Sequence, residues 1–142
     1  MARIVQKFGG TSVADLDRIR NAARRVKRAV DAGDQVAVVV SAMSGETNRL
    51  VDLVRAASPL YNAREYDAVV ASGEQVTAGL MAIVLEGMGV PARSFLGWQI
   101  PLYTDGLHGR ARIMDVKGEV LMERLEQGQV TVIAGFQGIS PE

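Results

Sequence analysis

A glycine-containing stretch near the start of the chain has the residue types of an anion-binding loop. It reads Lys7-Phe8-Gly9-Gly10-Thr11-Ser12 and follows a short apolar run. Consecutive glycines let backbone N–H groups approach an anion without a Cβ in the way, and the lysine adds a mobile positive charge. An amphipathic helix is expected just past Ser12, so its N-terminus would also favour a negative ligand. The stretch predicts a phosphate-binding loop, although a Gly-Gly pair after a strand is also typical of an ordinary turn.

Two further loops of small residues follow the most apolar strand candidates. Ser41–Gly45 follows Val36–Val40, and Gly135–Gly138 follows Val130–Ala134. Right-handed strand–helix–strand crossovers bring the carboxyl ends of parallel strands to one edge of a sheet, where open α/β folds bind ligands. We therefore expect the three loops to converge on one pocket, with the amine of Lys7 facing into it.

The elements that must position these loops alternate between strands and helices. Apolar runs predict strands, and apolar residues at helical spacing predict helices. The predicted strands are Arg3–Phe8, Val36–Val40, Ala92–Phe95 and Val130–Ala134, and the predicted helices are Asp15–Ala32, Thr47 or Asn48 to Ala57, Ala63–Met88 and Val116–Glu126. This order predicts one Rossmann-like α/β domain, a three-layer α/β/α sandwich around a mainly parallel sheet.

Ser72-Gly73-Glu74 interrupts the longest helical pattern. Glycine inside a helix costs about 1 kcal/mol relative to alanine, so the break predicts two helices meeting at a loop, or a close approach to another part of the chain. Glu74 would then lie in the first turn of the second helix, where a carboxylate is favourable. A capping role and a ligand-binding role for Glu74 are both compatible with this position.

Asp105-Gly106-Leu107-His108-Gly109 lies between two short segments with the character of strands. Asp-Gly between such segments predicts a hairpin. With Arg110 and Arg112, this hairpin has the composition of a flap over a substrate, and equally of a surface hairpin. For His108 we favour the surface position.

Composition excludes several classes of function. Lys plus Arg and Asp plus Glu each number 16, so the formal net charge is zero and neither nucleic acid nor a membrane surface is an expected partner. Without cysteine there are no disulfides or thiol nucleophiles, and His108 is the lone histidine. The N-terminal apolar run is too short for a signal peptide or a membrane span, so we expect a cytoplasmic protein.

The remaining inventory suits phosphoryl transfer. The sequence has no G-x-S-x-G elbow and no Walker P-loop. Glycine loops, hydroxyls, one lysine and one glutamate can bind a phosphoryl group and neutralise its charge, and most of phosphoryl-transfer catalysis is such positioning and neutralisation.

Five motifs, in order along the whole chain, resemble the aspartate kinases of the amino acid kinase superfamily. They are Lys7–Ser12, Val39–Gly45, Ser72–Glu74, His108–Arg112 and Ala134–Gly138. The resemblance implies ATP-dependent phosphorylation of the side-chain carboxylate of L-aspartate to 4-phospho-L-aspartate, the first step towards lysine, threonine and methionine. It also implies Mg²⁺, with ligands outside these residues.

The resemblance also implies roles for individual residues. Lys7 would be catalytic and stabilise the transferring phosphoryl group, and Glu74 would accept from the substrate ammonium. An arginine of the hairpin would pair with a substrate carboxylate, with Arg110 the first choice and Arg112 the alternative. Contacts to the nucleotide are implied for Lys7, Phe8, Gly9, Gly10 and Ser41, and contacts to the substrate for Ser12, Ser41, Gly45, Thr47, Glu74 and Arg110.

In that family a nucleotide-binding half and regulatory ligand-binding domains follow the Gly135–Gly138 loop. Residues 1–142 therefore resemble the amino-acid-binding half of the kinase domain, with an incomplete sheet. We expect this chain to be inactive by itself, and to form a homo-oligomer or pair with a complementing C-terminal half. The alternatives are a related kinase acting on glutamate, carbamate or a nucleoside monophosphate, and a non-catalytic binding domain.

Overall fold

The computed structural model describes residues 1–141, which fold around a four-stranded parallel sheet. Its strand order is β1-β2-β6-β3, and a separate two-stranded antiparallel hairpin is formed by β4 and β5. The strands are β1 (Arg3–Phe8), β2 (Gln35–Val40), β3 (Ala92–Phe95), β4 (Leu102–Thr104), β5 (Ile113–Val116) and β6 (Val130–Ala134). The helices are α1 (Leu16–Asp31), α2 (Glu46–Ala57), α3 (Ala63–Val70), α4 (Ser72–Gly87) and α5 (Glu119–Glu126), with a 3₁₀ turn at Gly10–Val13.

The two central strands are apolar because both faces of the sheet are covered. Val38 of β2 pairs in register with Val132 of β6, and both side chains are fully buried beneath α1 and α4. The next residues along each strand, Val39 and Ile133, point to the opposite face and are half-buried. This arrangement confirms the prediction that the continuous apolar runs are parallel strands.

Helix α5 covers that opposite face, where it packs against β6 and β2. The crossover from β3 to β6 runs across the sheet in the opposite direction to the crossover from β1 to β2. A right-handed path therefore places α5 on the face opposite α1, as the predicted three-layer sandwich requires. The helix begins at Glu119 and not at the predicted Val116, because Val116 pairs with Leu102 in the hairpin.

Helix α1 follows the predicted amphipathic pattern. Ile19, Ala22, Ala23 and Val26 are buried on the sheet side. The carboxylate of Asp15 caps the helix by accepting the N–H of Arg18 at 2.8 Å. This carboxylate satisfies one of the free N–H groups of the first turn. The expectation that α1 contributes to an anion site stays a prediction.

Helix α2 begins differently from its prediction. Its N-cap is Gly45, with φ at +80°, a left-handed conformation that glycine adopts without strain. Neither Thr47 nor Asn48 caps the helix, because both lie inside its first turn. The consequence is that the side chain of Thr47 is available to the neighbouring cavity.

Helices α3 and α4 meet at one residue, Ala71, and not at the predicted loop. Close packing explains why the helical pattern contains a glycine at position 73, because a Cβ on Gly73 would lie 3.1 Å from Ala42 Cβ and 3.2 Å from Leu50 Cδ1. The close approach is therefore confirmed, and so is the break into two helices, although the break lies at Ala71 and not in a loop at 72–74. Helix α4 buries small residues such as Thr77 and Ala78, whereas Val76 and Ile83 are 56% and 65% exposed.

By length and composition, one helical stretch within residues 1–141, Ala63–Gly87, could cross a membrane. Its α4 part packs against α1 and against β3 and β6. The buried side chains include Met81 and Leu85, so packing in the protein core accounts for much of the apolar character.

The β4–β5 hairpin contacts the rest of the fold along β4 and at its tip. Ile139 pairs with β4, accepting the N–H of Thr104 and donating to the carbonyl of Leu102, both at 2.8 Å. At the hairpin tip, Asp67 of α3 accepts the N–H of Gly109 at 2.9 Å. The predicted hairpin is confirmed, and its tip is docked on α3.

Candidate functional site

The three loops that follow β1, β2 and β6 lie side by side. A Cβ on Gly10 would lie 3.2 Å from the carbonyl oxygen of Ala42, so the first loop packs directly on the second. Gly135 donates its N–H to the carbonyl of Val40 at 3.0 Å, and a Cβ on it would lie 2.7 Å from Val39 Cγ1. The third loop therefore needs a residue without a side chain at this point. The predicted convergence of the loops is confirmed.

A cavity of about 250 Å³ lies at this edge of the sheet. Four of the residues proposed from the sequence line it: Lys7, Ser41, Thr47 and Glu74. The other lining residues are Ala42, Val70, Gly135 and Phe136. Among the described residues that line this cavity, Lys7 carries the ammonium group and Glu74 the carboxyl group, so the cavity offers one partner to each charge of a small zwitterion.

The carboxyl group of Glu74 is buried, with 3% of the residue exposed. Burial raises its pKa to about 7, while the N–H of Phe136, which donates to Oε1 at 2.9 Å, acts in the opposite direction. Near neutral pH the group is therefore divided between its charged and neutral forms. A ligand ammonium beside it would favour the carboxylate, so this position can bind a cation by ionising in response to it.

The hydroxyls of Ser41 and Thr47 come from the two ends of the second loop. Ser41 follows β2 directly and donates its N–H to the carbonyl of Phe8 at 3.3 Å. Thr47 lies in the first turn of α2, where the left-handed Gly45 has turned the chain. Gly45 does not itself line the cavity.

Four predicted contacts lie beside the cavity and do not line it. Phe8 is 9% exposed and packs in the hydrophobic core, so only its backbone is available to a ligand. Gly9 is exposed and Gly10 half-buried, at the start of the 3₁₀ turn. Ser12 is exposed on that turn and donates its N–H to the carbonyl of Gly9 at 3.0 Å.

Arg110 lies in a different place from Glu74. It lines a second cavity of about 420 Å³ between the hairpin tip and the start of α3, together with Asn62, Ala63, Arg64, Gly106, Leu107 and His108. Helix α3 separates the two cavities, because Ala63 at its start lines one and Val70 at its end lines the other. The structure does not bring Arg110 to the carboxyl of Glu74, and Arg112 is exposed on the hairpin.

His108 is not a free surface residue, contrary to the interpretation favoured from the sequence. Its Nδ1 lies 3.1 Å from Oδ2 of Asp67, and the side chain is 25% exposed. Its Nε2 is buried without a hydrogen-bond partner within the described chain. The histidine therefore helps to dock the hairpin on α3.

Sequence reasoning did not assign Phe136 or Val70 to the site. Phe136 lies at the cavity with 85% of its surface exposed, and its N–H holds Glu74. The sequence could have indicated Phe136, because the loop after β6 follows the carboxyl end of a parallel strand in the same way as the loop that begins at Ser41. Val70 had no such signal, because its place depends on how α3 packs.

A divalent metal has no evident site in the part of the chain that the structure describes. No group of three or more Asp, Glu or His side chains in residues 1–141 is arranged to hold an ion.

Comparison with known proteins places these features in a family. The model described as "Amino acid kinase family" matches residues 2–142. An aspartate kinase of Pseudomonas fluorescens is 50% identical over 146 residues, which cover 100% of this chain and 35% of that protein. The chain thus spans about a third of the length of the curated relatives it matches. The resemblance found in the five motifs is confirmed.

Solved structures agree with the sequence relatives. The crystal structure of aspartate kinase from Synechocystis is 42% identical, with a TM-score of 0.80, over 95% of this chain and 22% of that one. E. coli aspartokinase III, in a complex with lysine and aspartate, is 25% identical with a TM-score of 0.82 over 96% of this chain and 41% of that one. These likenesses confirm the α/β fold with a mainly parallel sheet.

Proposed function

Because the chain belongs to the amino acid kinase family, we propose that it forms the amino-acid-binding part of an aspartate kinase. The activity would be transfer of the γ-phosphoryl group of ATP to the side-chain carboxylate of L-aspartate. The observation that supports this best is that Lys7 and the buried Glu74 line the same small cavity. The Pseudomonas and Synechocystis relatives, both aspartate kinases, support the choice of substrate.

L-Aspartate has the charges that this cavity can bind. Its ammonium would lie at Glu74, whose carboxyl ionises to meet it, and Ser41 and Thr47 would donate hydroxyl hydrogen bonds to its carboxylates. The remaining lining groups, Ala42 and Val70, would pack against the carbon chain. E. coli aspartokinase III is described in a complex with aspartate, which supports the same assignment for this fold.

Phosphoryl transfer from ATP to aspartate requires little covalent chemistry from the protein. A side-chain carboxylate oxygen of aspartate bonds to the γ-phosphorus while the bond from that phosphorus to the β-phosphate oxygen breaks, so ADP leaves and no protein base is needed. Charge spreads over the moving phosphoryl group, and the ammonium of Lys7 would neutralise it. Backbone N–H groups of Gly9 and Gly10 would contact the phosphates from the neighbouring turn.

The nucleotide would need more surface than this cavity provides. A volume of about 250 Å³ is smaller than the roughly 300–1,000 Å³ of cavities for drug-sized ligands. It therefore suits an amino acid and not an amino acid together with ATP. We expect most nucleotide contacts, and the ligands of Mg²⁺, to come from residues outside 1–142, in keeping with the share of its relatives that the chain spans.

The same proposal also implies a metabolic role, a cellular location and a set of partners for the enzyme. The product, 4-phospho-L-aspartate, would be the first intermediate towards lysine, threonine and methionine. The enzyme would be cytoplasmic, and the zero net charge supports the absence of nucleic-acid or membrane partners. A homo-oligomer, or pairing with a complementing C-terminal half, would cover the exposed parts of the sheet.

Calorimetric titration tests the substrate assignment. L-Aspartate is expected to bind the 142-residue chain, whereas L-asparagine, L-glutamate and N-acetyl-L-aspartate should bind at least tenfold more weakly. The acetylated compound keeps both carboxylates and lacks the ammonium, so it isolates the role of Glu74. If L-glutamate, carbamate or a nucleoside monophosphate binds more tightly than L-aspartate in the same titration, that compound replaces L-aspartate as the proposed substrate.

Turnover is tested in two chains. The 142-residue chain by itself is expected to form little or no ADP in response to L-aspartate. A chimera that joins it to the remaining sequence of the Pseudomonas fluorescens aspartate kinase should form ADP and 4-phospho-L-aspartate. A chimera that folds and binds both substrates without turnover would count against the proposed activity.

A further inference from the structure

Gln137 connects two parts of the fold that are otherwise far apart in sequence. Its side-chain Nε2 donates to the carbonyl of Ala71 at 2.6 Å, and its Oε1 accepts the N–H of Gly97 at 3.2 Å. The side chain is half-buried and uses both ends of its amide group. A glutamine with both polar atoms engaged has a fixed position and orientation.

The Ala71 contact joins Gln137 to the start of the helix that carries the cavity carboxyl. Ala71 joins α3 to α4 and lies three residues before Glu74. The preceding residue of the loop, Phe136, donates its N–H to Oε1 of Glu74 at 2.9 Å. Two successive residues of one loop therefore bind the start of α4 at two points.

The Gly97 contact fixes Gln137 from the other side. Gly97 follows β3, and a Cβ on it would lie 2.9 Å from the carbonyl carbon of Gln137 and 3.0 Å from the nitrogen of Gly138. Only glycine allows the two backbones to approach so closely. Gly97 also accepts the N–H of Leu102 at 2.8 Å, so the same turn leads into the hairpin.

We propose that Gln137 is a positioning residue that sets the place of the Glu74 carboxyl group in the cavity. It does so by clamping the loop that carries Phe136 between the α3–α4 junction and the turn after β3. The effect on ligand binding rests on the proposed function, whereas the effect on Glu74 itself does not. Gln137 is not among the residues that line the cavity, so it acts through Phe136 and α4.

The hydrogen bond from Phe136 to Glu74 determines whether the loss of Gln137 raises or lowers the pKa of Glu74. The N–H of Phe136 stabilises the carboxylate and so lowers its pKa against the larger effect of burial. If Gln137 no longer holds the loop, this hydrogen bond is weakened while the carboxyl stays buried. The pKa of Glu74 then rises above its value of about 7.

The experiment follows the titration of Glu74 by NMR, from its side-chain carboxyl carbon, in the ligand-free 142-residue chain. Gln137→Met keeps the length of the side chain and removes both hydrogen bonds, and Gln137→Ala removes the side chain. Gln99→Ala is the matched control, because Gln99 accepts the N–H of Leu96 at 2.9 Å in the same turn and is exposed. We expect the pKa of Glu74 to rise by at least about 0.5 in both Gln137 variants and to stay unchanged in the control.

A second measurement addresses binding. L-Aspartate affinity at pH 8 is expected to fall about tenfold in Gln137→Met and less than twofold in Gln99→Ala. If wild-type chain does not bind L-aspartate while the Gln137 variants still shift the titration, the proposed function fails and the positioning role stands. A folded Gln137→Met chain in which Glu74 titrates as in wild type overturns the positioning role.

The wild-type chain provides the test if neither variant folds. The side-chain amide signals of Gln137 and the amide signal of Phe136 should change with pH at the same midpoint as Glu74, because both groups are bound to the start of α4. Gln137 signals that do not follow that midpoint would overturn the proposal.

Discussion

The edge of the parallel sheet and the β4–β5 hairpin both carry polar and charged residues, but the fold holds them in different ways. At the sheet edge, Lys7, Ser41 and Gly135 each sit at or just past the end of a strand that pairs in register with its neighbour. In the hairpin, all four residues of β5 are exposed. Backbone pairing in the parallel sheet thus positions the cavity residues, whereas the hairpin is positioned by a few contacts, among them those to Ile139 and Asp67.

This difference explains which site residues the structure brings together. Lys7 pairs with Val39 in the sheet, so its position follows from the strand order. Arg110 depends on where the hairpin tip docks, and Asp67 holds that tip on α3, beside the second cavity. Residues at the ends of parallel strands can therefore be assigned to a shared site from sequence, and residues on an isolated hairpin cannot.

Removal of the Lys7 charge should have the largest effect. In the chimeric enzyme, Lys7→Ala is expected to lower kcat about 10²–10³-fold with less than a fivefold change in the Kd of L-aspartate, because the ammonium is needed mainly in the transition state. Steady-state kinetics and calorimetry measure the two quantities. Lys27→Ala is the control, since Lys27 is a half-exposed residue of α1 paired with Asp31. Unchanged kcat in Lys7→Ala would remove this residue from the mechanism.

Glu74 should make the chain less stable as the pH rises. Its pKa is raised to about 7 in the folded chain from 4.5, so the folded state holds a proton that the unfolded state has lost between these values. The free energy of unfolding should therefore fall from pH 4.5 to about 7, by on the order of 3 kcal/mol, and stay level above that. Urea unfolding of wild type and Glu74→Gln across this range measures the difference. Parallel pH profiles for the two chains would contradict the assignment.

The same substitution should weaken substrate binding. Glu74→Gln is expected to lower the affinity for L-aspartate about 30-fold at pH 8, because the neutral amide lacks the negative charge that stabilises the ammonium. In the wild-type chain, affinity should decrease as the pH falls below 7, since protonated Glu74 must lose its proton on binding. Titrations in two buffers of different ionisation enthalpy detect that proton release at pH 6.5. Glu86→Gln, at an exposed position of α4, is the control.

Release of the hairpin should have a smaller and local effect. Asp67→Asn weakens the contacts to His108 and Gly109, which are worth about 1–2 kcal/mol together. Amide hydrogen exchange in residues 105–112 should become at least about fivefold faster, with L-aspartate affinity changed less than threefold. Asp52→Asn on the exposed side of α2 is the control. A large loss of affinity would show that the docked hairpin contributes to the cavity after all.

The smallest effect is expected from the hairpin arginines. With the tip docked as described, Arg110→Ala and Arg112→Ala should each change L-aspartate affinity less than about twofold. A loss of tenfold or more in one of them would mean that the hairpin closes over the ligand, and would decide which arginine pairs with the substrate carboxylate. Arg64→Ala, in the same second cavity as Arg110, separates an effect on that cavity from one on the hairpin.

The sequence by itself determined the sheet, three of the loops and the main charged groups of the cavity. The apolar runs of β2 and β6 have one stable environment, a sheet covered on both faces, and parallel strands bring their carboxyl ends to one edge. Because this geometry repeats from strand to strand, Lys7 and the loop that begins at Ser41 could be placed at the site from local patterns, whereas the ligand-binding role of Glu74 came from the family resemblance.

Tertiary structure alone decided the rest. The burial that raises the pKa of Glu74 depends on how α4 packs and on the Phe136 N–H, 62 residues away in the chain. Likewise, the docking of His108 on Asp67 joins residues 41 positions apart. Local patterns carry no information on such contacts, because hydrogen bonds between distant segments form only after the helices and strands have packed.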